Sequence, residues 1–221
     1  SPETVARYAF ENTRFLLSAS VKMIVVACNT ASAVSLSALQ QAFPVPIIGV
    51  LEPGARAAVR QTENGKIGVI GTEVTIRSQA YSKAIEKIRP DIEILGTACP
   101  LFVPLVEEGW TRDEIAFQVA ERYLSPLKAH QVDTLVLGCT HYPLLKPVIR
   151  RVMGEGVNLI DSAEETALEV MRQLEERGLL HHQPRQSIRQ YVVTDAPARF
   201  EEMGKRFLGE TLTSVEKVDF S

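Results

Sequence analysis

Three cysteines stand among the 221 residues: Cys28, Cys99 and Cys139. Two of them share a local pattern. Ile24-Val25-Val26-Ala27-Cys28-Asn29-Thr30 and Leu135-Val136-Leu137-Gly138-Cys139-Thr140-His141 each run from an apolar stretch through a small residue to a cysteine, then to polar residues. A thiol at a helix N-terminus can have its pKa lowered toward neutrality. A group that exists as thiol or thiolate near neutral pH suits proton transfer. Two such thiols on opposite walls of one cleft suit removal of a proton from one face of a carbon and delivery of another to the opposite face. The stereocentre then inverts without metal or cofactor. Two other readings stay open on the residues alone. A cysteine after a strand is commonly a small buried hydrophobe, and Cys139 with His141 nearby suits acyl transfer by a cysteine nucleophile. Cys and His so close on one turn rarely point at each other, which weighs against the latter. Cys99, within Ala98-Cys99-Pro100, has no echo elsewhere and no adjacent polar group, and is read as structural.

The elements that must position these groups follow from the apolar pattern. Short β-branched runs at 23–27, 46–50, 66–70, 92–95, 134–137, 157–160 and 191–194 read as strands, most of them buried on both faces of parallel sheets. Helical patterns lie near 30–42, 54–62, 75–88, 112–129, 144–153, 163–177 and 197–208. Another starts at Ser1, a good N-cap, with Pro2 at the first helical position. Strands alternating with helices predict an α/β fold with parallel sheets.

In such folds ligands bind beyond the carboxyl ends of the strands. The sequence puts Cys28, Asn29 and Thr30 there, then Glu52-Pro53-Gly54, Gly71, Thr72 and Thr75, Cys139, Thr140 and His141, and finally Asp161 and Ser162. Free N–H groups at helix N-termini favour anions, so a small carboxylate or phosphate is expected rather than an apolar ligand.

Composition narrows the classes. Lys and Arg number 24 and Asp and Glu 27, a formal charge of -3. That balance gives no electrostatic basis for binding nucleic acid or an anionic membrane. No apolar run approaches the ~20 residues that cross a bilayer. Unpaired thiols without a recognisable leader make a reducing cytoplasm the expected location. No C-x-x-C, Walker A or H-E-x-x-H occurs, and Gly65, Gly68 and Gly71 have the wrong spacing for a dinucleotide fingerprint. Neither a metal nor a cofactor is expected. His181-His182 and the runs Glu175-Glu176-Arg177 and Glu201-Glu202 read as solvated.

At Val26-Ala27-Cys28-Asn29-Thr30-Ala31-Ser32 and Leu137-Gly138-Cys139-Thr140-His141-Tyr142-Pro143 the chain closely resembles the glutamate racemases, which belong to the cofactor-independent aspartate/glutamate racemases. Gly49-Val50-Leu51-Glu52-Pro53-Gly54, Val69-Ile70-Gly71-Thr72, Cys99-Pro100-Leu101-Phe102-Val103-Pro104 and Leu159-Ile160-Asp161-Ser162 extend the resemblance along most of the chain. It implies two pseudo-symmetric α/β lobes with the active site in the cleft between them. Residues 1–51 with 161–221 would form one lobe and 52–160 the other. It implies interconversion of L- and D-glutamate, which supplies D-glutamate for peptidoglycan. Cys28 would work on the D-glutamate face and Cys139 on the L-glutamate face, with His141 assisting Cys139 and Glu107 accompanying His141. Asn29, Thr30, Thr140 and His141 match substrate contacts, and Thr72 and Thr75 resemble further ones. Family members are often dimers, which leaves a homodimer open.

The chain departs from the family pattern in one respect. Family members begin with a strand ending in Asp-Ser-Gly, followed by Pro-Tyr-Gly. Neither motif is present, and Ser1-Pro2-Glu3-Thr4 resembles the segment just after the second. The expectation is a racemase chain without its first segment and with little or no activity. The alternatives are a related aspartate or hydantoin racemase, or an inactive fragment that binds only a dicarboxylate or a partner protein.

Overall fold

The computed structural model describes residues 1–183, 187–212 and 214–219. Two compact units divide the chain, Ser1–Leu179 and Leu180–Ser221. The last stretch of the lobe expected at 161–221 includes residues 184–186, 213, 220 and 221, which lie outside the described residues.

The first unit opens with α1 (Pro2–Ser18), where the Ser1 hydroxyl accepts from the Thr4 N–H and Pro2 occupies the first turn. Next come β1 (Ile24–Val26), α2 (Asn29–Ala42) and β2 (Ile47–Gly49). β1 and β2 pair in parallel, Val25 opposite Ile48. Ile24, Leu39 and Ile47 form a small core here, with Phe10, Leu17 and Phe43 packed against it.

A second, four-stranded sheet follows. α3 (Leu51–Gln61) leads into β3 (Lys66–Gly71), then α4 (Glu73–Arg77), α5 (Ala80–Ile88) and β4 (Glu93–Ala98). After α6 (Phe102–Glu107) and α7 (Glu114–Ala129) come β5 (Thr134–Gly138), a 3-10 turn (Tyr142–Leu145), α8 (Lys146–Met153), β6 (Asn158–Asp161) and α9 (Ser162–Glu176). The strand order is β4-β3-β5-β6 and all its pairs are parallel. The core beneath α3 joins Ala55, Ala57 and Ala58 to Ile67, Val69, Val136 and Ile160. The second unit holds β7 (Tyr191–Val193), α10 (Pro197–Leu208) and β8 (Val215–Lys217), its two strands paired in parallel.

The order β4-β3-β5-β6 locates the site. From β3 the chain moves outward to β4, then returns to place β5 on the other side of β3. The connections after β3 and β5 therefore leave in opposite directions, opening a crevice at that switch point. Gly71 and Gly138 end the two strands opposite each other. A Cβ on Gly138 would lie 2.5 Å from the Ile70 carbonyl oxygen, so this close backbone approach requires glycine.

Four local expectations shift. The helix expected from residue 54 begins at Leu51, so Glu52-Pro53-Gly54 is its first turn rather than a strand-end loop. Proline fits there because that N–H has no helical partner. The helix expected over 75–88 is two helices, broken where Gln79 adopts φ 53°. α6 and β8 carry no sequence signal, being six and three residues long.

Candidate active site

Cys28 follows β1 and is the N-cap residue of α2, its thiol exposed. The Ser32 hydroxyl pins this turn by donating to the Val26 carbonyl at 2.8 Å. Asn29 and Thr30 open α2 and face different partners. Asn29 is buried, and the Tyr81 hydroxyl donates to its Oδ1 at 2.6 Å. Thr30 Oγ1 lies 2.9 Å from Thr72 Oγ1 and 3.1 Å from Thr75 Oγ1. Thr72 and Thr75 are themselves 3.0 Å apart, and the Thr72 hydroxyl caps α4 by accepting from the Thr75 N–H. Three hydroxyls from α2 and the β3–α4 turn thus form a closed triangle of neutral donors.

Cys139 lies at the end of β5, across the switch point from Thr72, and is 8% exposed. Its Sγ is 4.0 Å from His141 Nδ1, which also lies 3.2 Å from Thr140 Oγ1. His141 Nε2 is 3.6 Å from Glu107 Oε1 at the end of α6. The result is a line of thiol, imidazole and carboxylate. An approach that is rare on sequence grounds is realised here at 4.0 Å, just ahead of the 3-10 turn that starts at Tyr142.

The electrostatics differ from the sequence expectation. Burial pushes the Cys139 thiol up rather than down, and this outweighs the His141 and Tyr142 N–H groups that favour the thiolate. Negative charge on Cys28 disfavours the Cys139 thiolate further, so the two sulfurs are within electrostatic reach. Burial likewise holds His141 below the ordinary imidazole range, against the pull of Glu107. At neutral pH the pair rests as thiol and neutral imidazole.

Other strand-end residues serve structure. Asp161 caps α9 through the Ala163 N–H and accepts from Lys146 Nζ at 2.8 Å. Cys99 is buried and donates to the Thr97 carbonyl, and burial pushes its thiol up. Sequence reasoning missed Tyr81, because its tie to Asn29 spans 52 positions and no local pattern carries it.

Comparison with known proteins gives the chain its family. A family model described as Asp/Glu/Hydantoin racemase matches residues 2–170. A glutamate racemase of Geobacter metallireducens is 56% identical over 99% of this chain and 81% of its own. The crystal structure of a glutamate racemase isoform from Bacillus anthracis superposes with TM-score 0.93 at 42% identity, covering 99% of this chain and 82% of that one. A Francisella tularensis glutamate racemase solved in complex with D-glutamate gives TM-score 0.92 at 34% identity, covering all of this chain and 82% of that one. The chain belongs to the Asp/Glu/hydantoin racemase family, among its glutamate racemases.

Proposed function

We propose that this protein interconverts L- and D-glutamate by a two-thiol mechanism, with Cys28 and Cys139 as the acid–base pair. The observation that carries it is the pair of strand-end cysteines, one at the head of α2 and one at the end of β5, with negative charge on Cys28 felt at Cys139. From D-glutamate, with His141 holding a proton as imidazolium beside Cys139, the Cys28 thiolate takes the α-proton, the Cys139 thiol delivers its own to the opposite face, and the Cys139 thiolate left behind recovers the proton from His141. From L-glutamate the roles reverse. Cys139 first passes its proton to the neutral imidazole of His141, and Glu107 stabilises the imidazolium that forms.

The α-proton of an amino acid is very weakly acidic, so the carbanionic transition state needs directed donors in a water-poor cleft. Asn29, Thr30, Thr72, Thr75 and Thr140 are the donors at hand, with His141 the remaining contact. Supply of D-glutamate for peptidoglycan, a cytoplasmic location and assembly as a homodimer belong to the same proposal.

The test is incubation with L-glutamate in deuterated water. Deuterium at the α-carbon together with loss of optical rotation supports it. A folded sample that exchanges nothing overturns it, and faster formation of D-aspartate from L-aspartate overturns the choice of substrate.

A further inference from the structure

Asn29 poses an unsolved problem inside the site. It is 2% exposed, and its Nδ2 has no hydrogen-bond partner among the described residues. A buried amide nitrogen without an acceptor is costly and rare, and it marks a place where something external is expected to bind. The other half of the same amide is held tightly, because Oδ1 accepts from the Tyr81 hydroxyl at 2.6 Å.

Tyr81 is built into the fold for that contact. It stands on the first turn of α5, 2% exposed, and its ring reaches past two glycines. A Cβ on Gly54 would lie 3.3 Å from the phenol oxygen, and one on Gly138 would lie 3.2 Å from Cε2. Burial keeps the phenol protonated, so it remains a donor across the working pH range. One side chain therefore touches the residue after Cys28 and the residue before Cys139.

We propose that Tyr81 is a positioning residue for the racemase reaction: by occupying Oδ1 it fixes the Asn29 amide plane and commits Nδ2 to a carboxylate oxygen of the substrate beside Cys28. This rests on the two-thiol racemase proposal. An amide free to rotate would present oxygen and nitrogen alternately, and the oxygen would repel an anion. With Tyr81 in place only the donating end is offered.

The test is a double-mutant cycle in the full chain, read by α-proton exchange and by steady-state kinetics for both enantiomers. Tyr81→Phe keeps the ring and removes the donor. KM should rise about tenfold for L- and D-glutamate alike, with kcat little changed, since the contact is made in ground and transition states equally. Tyr81→Phe added to Asn29→Ala should then change nothing further, because Tyr81 acts only through Asn29. Additive losses, or a fall in kcat with KM unchanged, would overturn the proposal. Should Tyr81→Phe fail to fold, fluorotyrosine incorporated into the otherwise unsubstituted chain supplies a second measurement. Its Tyr81 resonance should move on addition of D-glutamate in the parent and stay fixed in Asn29→Ala. Equal movement in both overturns the proposal. A parent chain that neither binds nor exchanges glutamate defeats the racemase proposal and this one with it. A parent that exchanges while the variants behave additively defeats this one alone.

Discussion

Glu107→Gln isolates the part of the site that electrostatics governs. The substitution keeps size and hydrogen-bonding capacity and removes a negative charge 3.6 Å from His141 Nε2. Opposite unit charges at that distance attract by about 4.6 kcal/mol at an effective dielectric of about 20, and by about 1.2 kcal/mol in bulk water. With 24% and 30% of the two side chains exposed, the pair sits between those limits, and about 2 kcal/mol is a reasonable working value. Imidazolium forms only when His141 holds the Cys139 proton, so that stabilisation is lost from the reactive state and not from the resting one. kcat/KM should fall about 30-fold.

Two details make the experiment decisive. The L and D forms are equal in free energy, so kcat/KM must fall by the same factor in both directions, and unequal values would expose an assay error. The pH profile supplies the sign. Burial already holds His141 low while Glu107 pulls it up, so removing the carboxylate lowers it further. Protonation of the resting pair should then set in at lower pH, and the acid limb of kcat/KM should move down. Activity within twofold of the parent, or an acid limb that moves up, would refute the proton relay through His141.

The remaining predictions test other parts of the structure. Iodoacetamide should label the exposed Cys28 first and the 8% exposed Cys139 more slowly and at higher pH, leaving the fully buried Cys99 until denaturant is added; peptide mass spectrometry reads the order, and early labelling of Cys99 would contradict the packing. Thr30→Val removes the hydroxyl that meets both Thr72 and Thr75 and should cost on the order of 0.5–1.5 kcal/mol in denaturant unfolding while weakening glutamate binding. Asp133 accepts from the Glu63 and Asn64 N–H groups and the Thr62 hydroxyl; burial opposes its ionisation, but these donors together hold its pKa below the ordinary value. Its folded pKa lies below its unfolded one, so its stabilisation is present above the unfolded value, near 4, and is lost as pH falls through the folded one. Asp133→Asn should therefore cost on the order of 1–3 kcal/mol at pH 7, by urea titration, and progressively less as pH falls below about 4 through the folded value.

Much of the site was legible because its chemistry sits at strand ends. The run Thr134–Gly138 is apolar without alternation and is an interior strand, buried throughout, whereas Ile24–Val26 has the same pattern but pairs only with β2 among the described residues and leaves Val25 40% exposed, so that expectation of two-sided burial fails there; in both, the polar residue types that follow mark a loop or helix start. Cys28, Asn29, Thr30, Thr72, Thr75, Cys139, Thr140 and His141 all lie at such junctions. What stayed hidden depends on distance in the sequence or on burial. The bond from Tyr81 to Asn29 joins a helix to a turn that no periodicity connects. The upward shift of Cys139 follows from its burial, which a local helix-terminus argument does not contain. α6 is too short for periodicity and carries Pro104 in its interior, so no pattern in the residues places Glu107: the resemblance names it, and the fold brings it 3.6 Å from His141.

The paired glycines at the ends of β3 and β5 also bear on how this site can evolve. A methyl group on Gly138 would meet the backbone of β3, and one on Gly71 would come within 3.3 Å of the Gly138 carbonyl oxygen. The floor of the crevice thus tolerates no graded variation, because its first step already displaces a strand. The walls carry no such constraint: Thr72, Thr140 and the residues around Cys28 end in side chains that can lengthen or shrink one atom at a time. Single-step routes to a different acidic amino acid therefore run through the walls, while the floor holds the two thiols at a constant spacing as the substrate changes.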